Sequence, residues 1–440
     1  MTTVATIGAA YSANKGAASM VQSLLDNLPE QSGAIEVVAV STHAGADRRT
    51  YARAGLDVDV ASQSPAELAL VQFPLALVAG LLRALRLPYR WLLRPRALRA
   101  LHDADVVADL SGISFVDGRR VIVIIYNAIV VWVPLLLGTP VVKCAQAMGP
   151  FRTPVNKALA SLTLPRLARV CPRGAATEEH LRSLDLQNLT PAGDLAFSMT
   201  VPGEVRSAMA AVLADRGVGR YLVVSPSQVV DTYCQGEQIP YPQLMASFID
   251  AVGAATDRHV VVVAHSAQPD AGVNHMNDLP LCRRIASLVR DRDRLVLLDE
   301  DFLPTELRAV IAGADALVTS RFHAMISALA EHVPTLVIGW SHKYAEILDP
   351  FGLAEWALTY EDLSDAAGVV ARTEALLAAA EEIRERIGAH LPSAHASSLA
   401  NIEVLAEVLD TRGAEVASGQ TGQDPTDRCR SPPRGSGSVA

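Results

Sequence analysis

Short runs of Val, Ile, Leu and Ala recur along the chain, separated by stretches whose apolar residues fall at helical spacing. Runs without polar alternation predict strands covered on both faces, as in parallel sheets. In the first half they lie at 4–9, 35–40, 105–110, 140–145 and 170–172. In the second half they lie at 221–225, 259–264, 294–298, 316–319 and 335–338, with helical patterns at 242–256, 279–289 and 304–312 between them. Strand and helix alternating in this way predict parallel sheets joined by right-handed crossovers. The fold class is therefore α/β, with two Rossmann-like domains whose sheets face a cleft. The divisions expected are an N-terminal domain over 1–200, a linker and connecting helix over 201–220, a C-terminal domain over 221–390, a further helix over 391–411 and a disordered tail over 412–440, rich in Gly, Ser, Pro and charge.

Two stretches depart from this alternation. Residues 71–99 carry Arg83, Arg86, Arg90, Arg94, Arg96 and Arg99 and no acid, interleaved with leucines, Tyr89 and Trp91. A basic amphipathic helix of this kind makes peripheral contact with an anionic membrane surface, or packs its apolar side on its own domain; both readings stand. Residues 121–137 are strongly apolar, with Tyr126, Asn127 and Pro134 inside them. That is the short limit for a membrane span and a strand pattern follows at once, so a buried core helix is expected.

Composition narrows the function classes. A chain of 440 residues, half of it apolar, can bury two cores, and its net charge of −9 argues against a nucleic-acid partner. Five scattered cysteines with no C-x-x-C pair predict free thiols in a reducing compartment. The first residues, MTTVATIGAAYSANKG, lack the basic start and long apolar core of a secretion signal, so a cytoplasmic protein is expected, at the inner face of the cell membrane if 71–99 docks there. The acids Asp299, Glu300 and Asp301 read as a solvated loop, and no metal site is expected.

The candidate chemistry concentrates at 316–328, ALVTSRFHAMISA, which reads as a strand, a turn and the start of a helix. Ligands of open α/β sheets bind at the carboxyl ends of strands, and a helix N-terminus there favours an anion. Arg321 and His323 add a fixed charge and a titratable donor at that junction. Ser225, His265 and Lys343 follow other strands of the second half and are expected to line the same cleft, with Ser227 and His342 as further, more structural candidates. In the first half the strand-end loops offer Asn14 and Gly16, then Gln146 and Gly149, then Arg173. The first of these loops is not G-x-G-x-x-G, so no dinucleotide is indicated.

Taken together, these motifs resemble the polysaccharide pyruvyl transferase family. The markers are N-x-G (Asn14, Gly16), Q-x-x-G-P-F (Gln146, Gly149, Pro150, Phe151), R-x-x-x-S/T (Arg173, Thr177), D-x-A-F (Asp194, Ala196, Phe197), S-R-x-H (Ser320, Arg321, His323), the V-P-T-L strand at 333–336 and Lys343 beyond it. The resemblance implies a two-domain architecture similar to GT-B glycosyltransferases. It also implies transfer of the pyruvyl group of phosphoenolpyruvate to a saccharide or lipid-linked saccharide as a ketal, with no cofactor besides the donor. On that basis Arg173 and Arg321 hold the donor, with Ser225 and Lys343 beside them, and His323 is the general acid. Asn14, Gly16, Gln146, Gly149 and His265 fall to the acceptor side or its loops. The chain departs from the family pattern at Ala17, at Gly174 and at Ser111-Gly112-Ile113, which leaves the acceptor open. Two other functions stay in play: a GT-B transferase using a nucleotide-sugar, with Glu346 near its ribose, and a non-catalytic scaffold at a membrane surface.

Overall fold

The computed structural model describes residues 2–32, 35–267, 277–340 and 343–417. The first sheet contains β1 (Thr2–Ile7), β2 (Ile35–Ser41), β3 (Asp59–Ser62), β4 (Val106–Asp109), β5 (Ile113–Val116), β6 (Val141–Gly149) and β7 (Arg169–Pro172). Its order is β3-β2-β1-β4-β6-β5, with β7 also paired to β6, and every pairing is parallel. The second sheet contains β8 (Tyr221–Ser225), β9 (His259–Val263), β10 (Leu295–Leu298), β11 (Ala316–Thr319), β12 (Thr335–Gly339) and β13 (Ala357–Thr359). Its order is β10-β9-β8-β11-β12-β13, again all parallel. Such a sheet winds outward in both directions from its first strand, and the crevice where the direction reverses lies between β8 and β11.

The apolar runs announce the central strands of both sheets and also the outer strands β7 and β10. All residues of β4, β8, β11 and β12 are buried, because helices cover both faces of the sheets. Three strands are additions to the sequence reading: β3, β5 and β13. Each has only three or four residues, too short to show a period.

The expected divisions need adjustment at the C-terminus. One helix runs from Ala380 to Ala417, so the boundary expected at 390/391 falls inside it and the stretch expected as tail begins with its last turns. Residues 418–440 lie outside the described residues. This helix returns to the first half: the Gly193 N–H donates to the Ser397 carbonyl at 2.8 Å, and the Ala145 N–H donates to Asn401 Oδ1 at 2.7 Å. The connecting stretch forms the helix Gly203–Asp215, whose Met209 and Leu213 pack with Leu307 and Val310 of the second half.

The expectation of a buried core helix at 121–137 holds for only part of it. Ile124, Ala128, Val131 and Leu137 of the helix Val121–Leu137 are buried, but Val121, Ile122 and Ile125 are exposed. The stretch 71–99 is not one helix either. It comprises the end of a helical run Pro65–Ala84, a single turn Arg90–Leu92 and the start of the helix Arg96–Asp103, separated where Pro88 and Pro95 withdraw backbone donors.

Candidate active site

The turn after β11 is held from several sides. The Ser320 N–H donates to the Ser225 carbonyl at 2.9 Å, tying β11 to β8 where the sheet reverses direction. Tyr344 Oη donates to the Ser320 carbonyl at 3.0 Å, Tyr241 Oη lies 3.0 Å from Ser320 Oγ, and the Arg321 N–H donates to Thr319 Oγ1 at 2.9 Å. Arg321 is the N-cap residue of the helix Phe322–Ala330, so its side chain and the free N–H groups of the helix start on the same side of the sheet.

Arg321 is not an isolated cation. One terminal nitrogen donates to Asp278, a fully buried carboxylate that also accepts the Gln228 N–H at 2.9 Å. Burial pushes the Asp278 carboxyl up, and Arg321 opposes that rise. The Arg321 Nε and Asp278 Oδ2 are buried without hydrogen-bond partners among the described residues. The guanidinium thus keeps donor capacity beyond its ion pair.

His323 meets the first half of the chain. Its Nε2 lies 3.6 Å from Asp194 Oδ2, beyond hydrogen-bond distance, and has no other partner among the described residues. The other edge of the ring rests on Gly16, where a Cβ would come within 2.2 Å of Nδ1 and 2.5 Å of Cγ. Only glycine leaves that space. Gly16 stands in the first turn of the helix Lys15–Ser32, capped by Asn14: its Oδ1 accepts the Gly16 N–H at 2.9 Å and the Ala17 N–H at 3.4 Å. N-x-G and S-R-x-H, far apart in sequence, therefore form one contact.

Asp194 joins the motifs. It accepts a hydrogen bond from Arg173 at 2.8 Å and one from the Ala196 N–H at 3.0 Å. Burial works to raise its pKa, but His323 and Arg173 overcome that and hold it well below the usual carboxylate range. The Arg173 guanidinium also stands 4.8 Å over the Phe322 ring, and the Arg173 backbone N–H donates to the Gln146 carbonyl at 3.1 Å. Arg173, Asp194, Phe322, His323 and Gly16 form one cluster between the two halves, and Arg321 precedes it by one residue.

The remaining sequence candidates divide. His265 is buried, and its pKa falls to about 3, chiefly through burial and also through His323 and Arg321 nearby; it is neutral at physiological pH. Ser225 is fully buried, its Oγ has no partner among the described residues, and its carbonyl holds the turn. The Gln146 side chain faces into its own domain, donating to the Asp109 carbonyl at 2.9 Å and accepting from Ser114 at 2.7 Å. It builds the loop that aligns Arg173. Gly149, at φ +94°, lies against His180 of the same domain. Ser227 is buried, with its N–H toward Tyr241 Oη at 3.3 Å. Lys343 opens the helix Lys343–Leu348, but its side chain and all of His342 lie outside the described residues. Gly174, one of the departures noted from the resembled pattern, has φ +82°, a conformation that disfavours other residues.

Three features escaped the sequence reading. Asp194 belonged to a motif but had no assigned role, and Asp278 was not singled out at all. The third corrects the solvated-loop reading of 299–301. Asp301 accepts from Lys15 Nζ at 2.7 Å, and Arg53 reaches its other oxygen at 3.2 Å. Lys15 is completely buried; burial lowers its pKa and Asp301 opposes this, so the pair clasps the two halves beside the Gly16–His323 contact. The nearest sequence signal was Lys15 itself, a lysine inside an otherwise small and polar loop.

Comparison with known proteins places these observations. Residues 14–342 match the family model for polysaccharide pyruvyl transferase. The amylovoran biosynthesis protein AmsJ of Erwinia amylovora is 22% identical over 261 residues, covering 58% of this chain and 61% of that relative's length. Among solved structures, a UDP-N-acetylglucosamine 2-epimerase superposes with a TM-score of 0.60 at 13% identity, covering 94% of this chain and 96% of that one. The UDP-GlcNAc 2-epimerase of Neisseria meningitidis, bound to UDP-GlcNAc, gives 0.58 at 10% identity, with 92% and 100% covered. The α,α-trehalose 6-phosphate synthase of Burkholderia multivorans gives 0.50 at 11% identity, with 96% and 99% covered. At these identities the likeness is one of fold, and the fold is GT-B-like. With three quarters of its length inside the family match and both halves of its motif set joined at His323, the chain belongs to the polysaccharide pyruvyl transferase family.

Proposed function

We propose that the protein transfers the pyruvyl group of phosphoenolpyruvate to two hydroxyls of one sugar in a cell-surface polysaccharide or glycolipid precursor, forming a ketal and releasing phosphate. The observation that carries this reading is the cluster around His323. An imidazole whose Nε2 faces Asp194 at 3.6 Å, with no hydrogen-bond partner among the described residues, lies beside the Arg173–Asp194 pair, two residues beyond Arg321 at a helix N-terminus.

The donor carries a phosphate and a carboxylate. Two guanidinium forks and free helix N–H groups suit such a compact polyanion. In the proposed reaction His323 gives a proton to the methylene carbon, which becomes the methyl group, and positive charge develops on the adjacent carbon. One sugar hydroxyl bonds to that carbon and loses its proton. The carbon–oxygen bond to phosphate then breaks, and the second hydroxyl closes the ring. Of the two hydroxyl protons, one restores His323 and the other leaves with phosphate. Asp194, ionised throughout, orients the ring, and neutral His265 adds no charge to repel or hold the donor. No resident cofactor or metal is called for.

Thermal unfolding with added ligand tests the donor. Saturating phosphoenolpyruvate, at a hundred times its Kd, should stabilise the protein by about 2.7 kcal/mol. The Arg321→Gln variant should lose most of that gain. Stabilisation by a nucleotide-sugar and not by phosphoenolpyruvate would favour the glycosyltransferase reading.

A further inference from the structure

We infer that the helical run Pro65–Ala84, the turn after it and the first turn of the helix Val121–Leu137 form a docking face for a bilayer surface rich in anionic lipid. The first observation is uncovered apolar area. Leu70 is 77% exposed and Trp91 62%, and Leu77, Leu81, Leu85 and Ile122 are exposed beside them. Large side chains in this number on two neighbouring helices exceed the scattered apolar exposure of an ordinary surface.

The second observation is charge. All six arginines between 83 and 99 are exposed, and no acid occurs from 68 to 102. Arg96 pairs with Asp59 and Arg90 approaches Asp103 at 3.9 Å, whereas Arg83, Arg86, Arg94 and Arg99 make no ion pair among the described residues. A chain of net charge −9 thus carries six exposed arginines beside this apolar surface, against Glu67, Asp59 and Asp103 at its margins. Leucines entering the acyl boundary, a tryptophan at headgroup level and arginines reaching phosphates are the components of an interfacial helix. A second copy of the chain fits less well, because a two-fold interface would set these arginines against one another.

The run Pro65–Ala84 has 20 residues, and an 18-residue window in it has a mean hydropathy of 1.7, long and apolar enough to cross a membrane, yet part of it is packed on its own domain. Its start is fixed by the Ser64–Glu67 capping box, and Leu68, Ala76 and Ala79 are buried against the domain. At Gly80 a Cβ would lie only 3.0 Å from the Leu136 carbonyl, so the two helices are in near-backbone contact. Both helices begin just beyond the carboxyl ends of strands, β3 and β5, which is the ligand side of a parallel sheet. The start of this face, with Leu70 and Ile122, therefore lies on the ligand side of the first sheet, whereas Arg83 stands at its far end against Gly138. The membrane contact itself does not depend on the identity of the donor.

Co-sedimentation of the full chain with phosphatidylglycerol-containing and pure phosphatidylcholine vesicles at low salt tests the proposal. Binding to the anionic vesicles is expected to exceed binding to the neutral ones by at least tenfold. Leu70→Gln, Leu81→Gln and Trp91→Ser combined should lower it tenfold or more with the thermal melting curve unchanged, and Arg86→Gln and Arg94→Gln should each lower it about fivefold. Equal binding to both vesicle types, or no loss in the triple variant, would overturn the proposal. So would a solution dimer that the triple variant dissociates while neither protein binds vesicles, which would assign the face to a second copy of the chain.

Discussion

His323 is bounded by Asp194 on one edge, by the Phe322 ring at 5.3 Å and by the bare Cα of Gly16 on the other edge. Its orientation therefore depends on an absent side chain as much as on a present one. Gly16→Ala places a methyl where the imidazole stands, and the ring must turn or the halves must separate. Since displacement of a reacting group by about an ångström can cost on the order of 100-fold, phosphate release from phosphoenolpyruvate with acceptor present should fall by about that factor. A rate within a few-fold of wild type would show that the contact does not position the acid. His265 makes a different prediction. Its pKa is near 3 in the folded chain against 6.5 for the free side chain, so between these values the unfolded chain binds a proton that the folded chain refuses. Stability attributable to this residue is therefore full above pH 6.5 and drains as pH falls toward 3, by up to about 1.4 kcal/mol per pH unit. His265→Gln removes the term, and its melting temperature should fall less steeply than wild type between about pH 6.5 and pH 4. Parallel slopes would contradict the burial argument.

At the scale of elements, the central strands were legible because burial on both faces leaves an unbroken apolar run. Residues 221–225, 316–319 and 335–338 are such runs, and the first two are whole strands of the structure. Short edge strands such as β13 give no such signal, because three residues fit any pattern. The helix Val121–Leu137 shows the opposite limit: a helix apolar on all sides does not reveal which side its neighbours leave uncovered. The helix Lys15–Ser32 is the element with the most direct link to the site, because its cap, Asn14, bonds the N–H of Gly16, the residue that contacts His323. Asn14→Ala frees the Gly16 and Ala17 N–H groups. It should cost about 1 kcal/mol in denaturant unfolding and slow turnover as well, since the cap fixes the backbone on which His323 rests. Loss of stability with unchanged turnover would separate the cap from the site.

Across the whole molecule, the site is a product of two domains meeting. Lys15 and Asp301 bond across 286 positions of sequence, and Arg321 and Asp278 across 43, separations at which no local pattern announces a partner. Arg173, Arg321 and His323 could be singled out because each follows a strand, and strand ends are where ligands bind. Asp194 and Asp278 could not be given roles because what they do depends on residues elsewhere in the chain. The central claim is that groups from both halves converge on phosphoenolpyruvate and that His323 protonates it. It is tested most directly by incubating the purified protein with phosphoenolpyruvate and the saccharide-lipid pool of a strain lacking the gene, then weighing the saccharides by mass spectrometry. The wild-type protein should add the mass of one ketal pyruvate only when phosphoenolpyruvate is present, and His323→Gln should add it at a rate lower by at least about 100-fold. An increment that His323→Gln forms as fast as wild type, or none in wild type with phosphoenolpyruvate and the complete pool, would contradict the account.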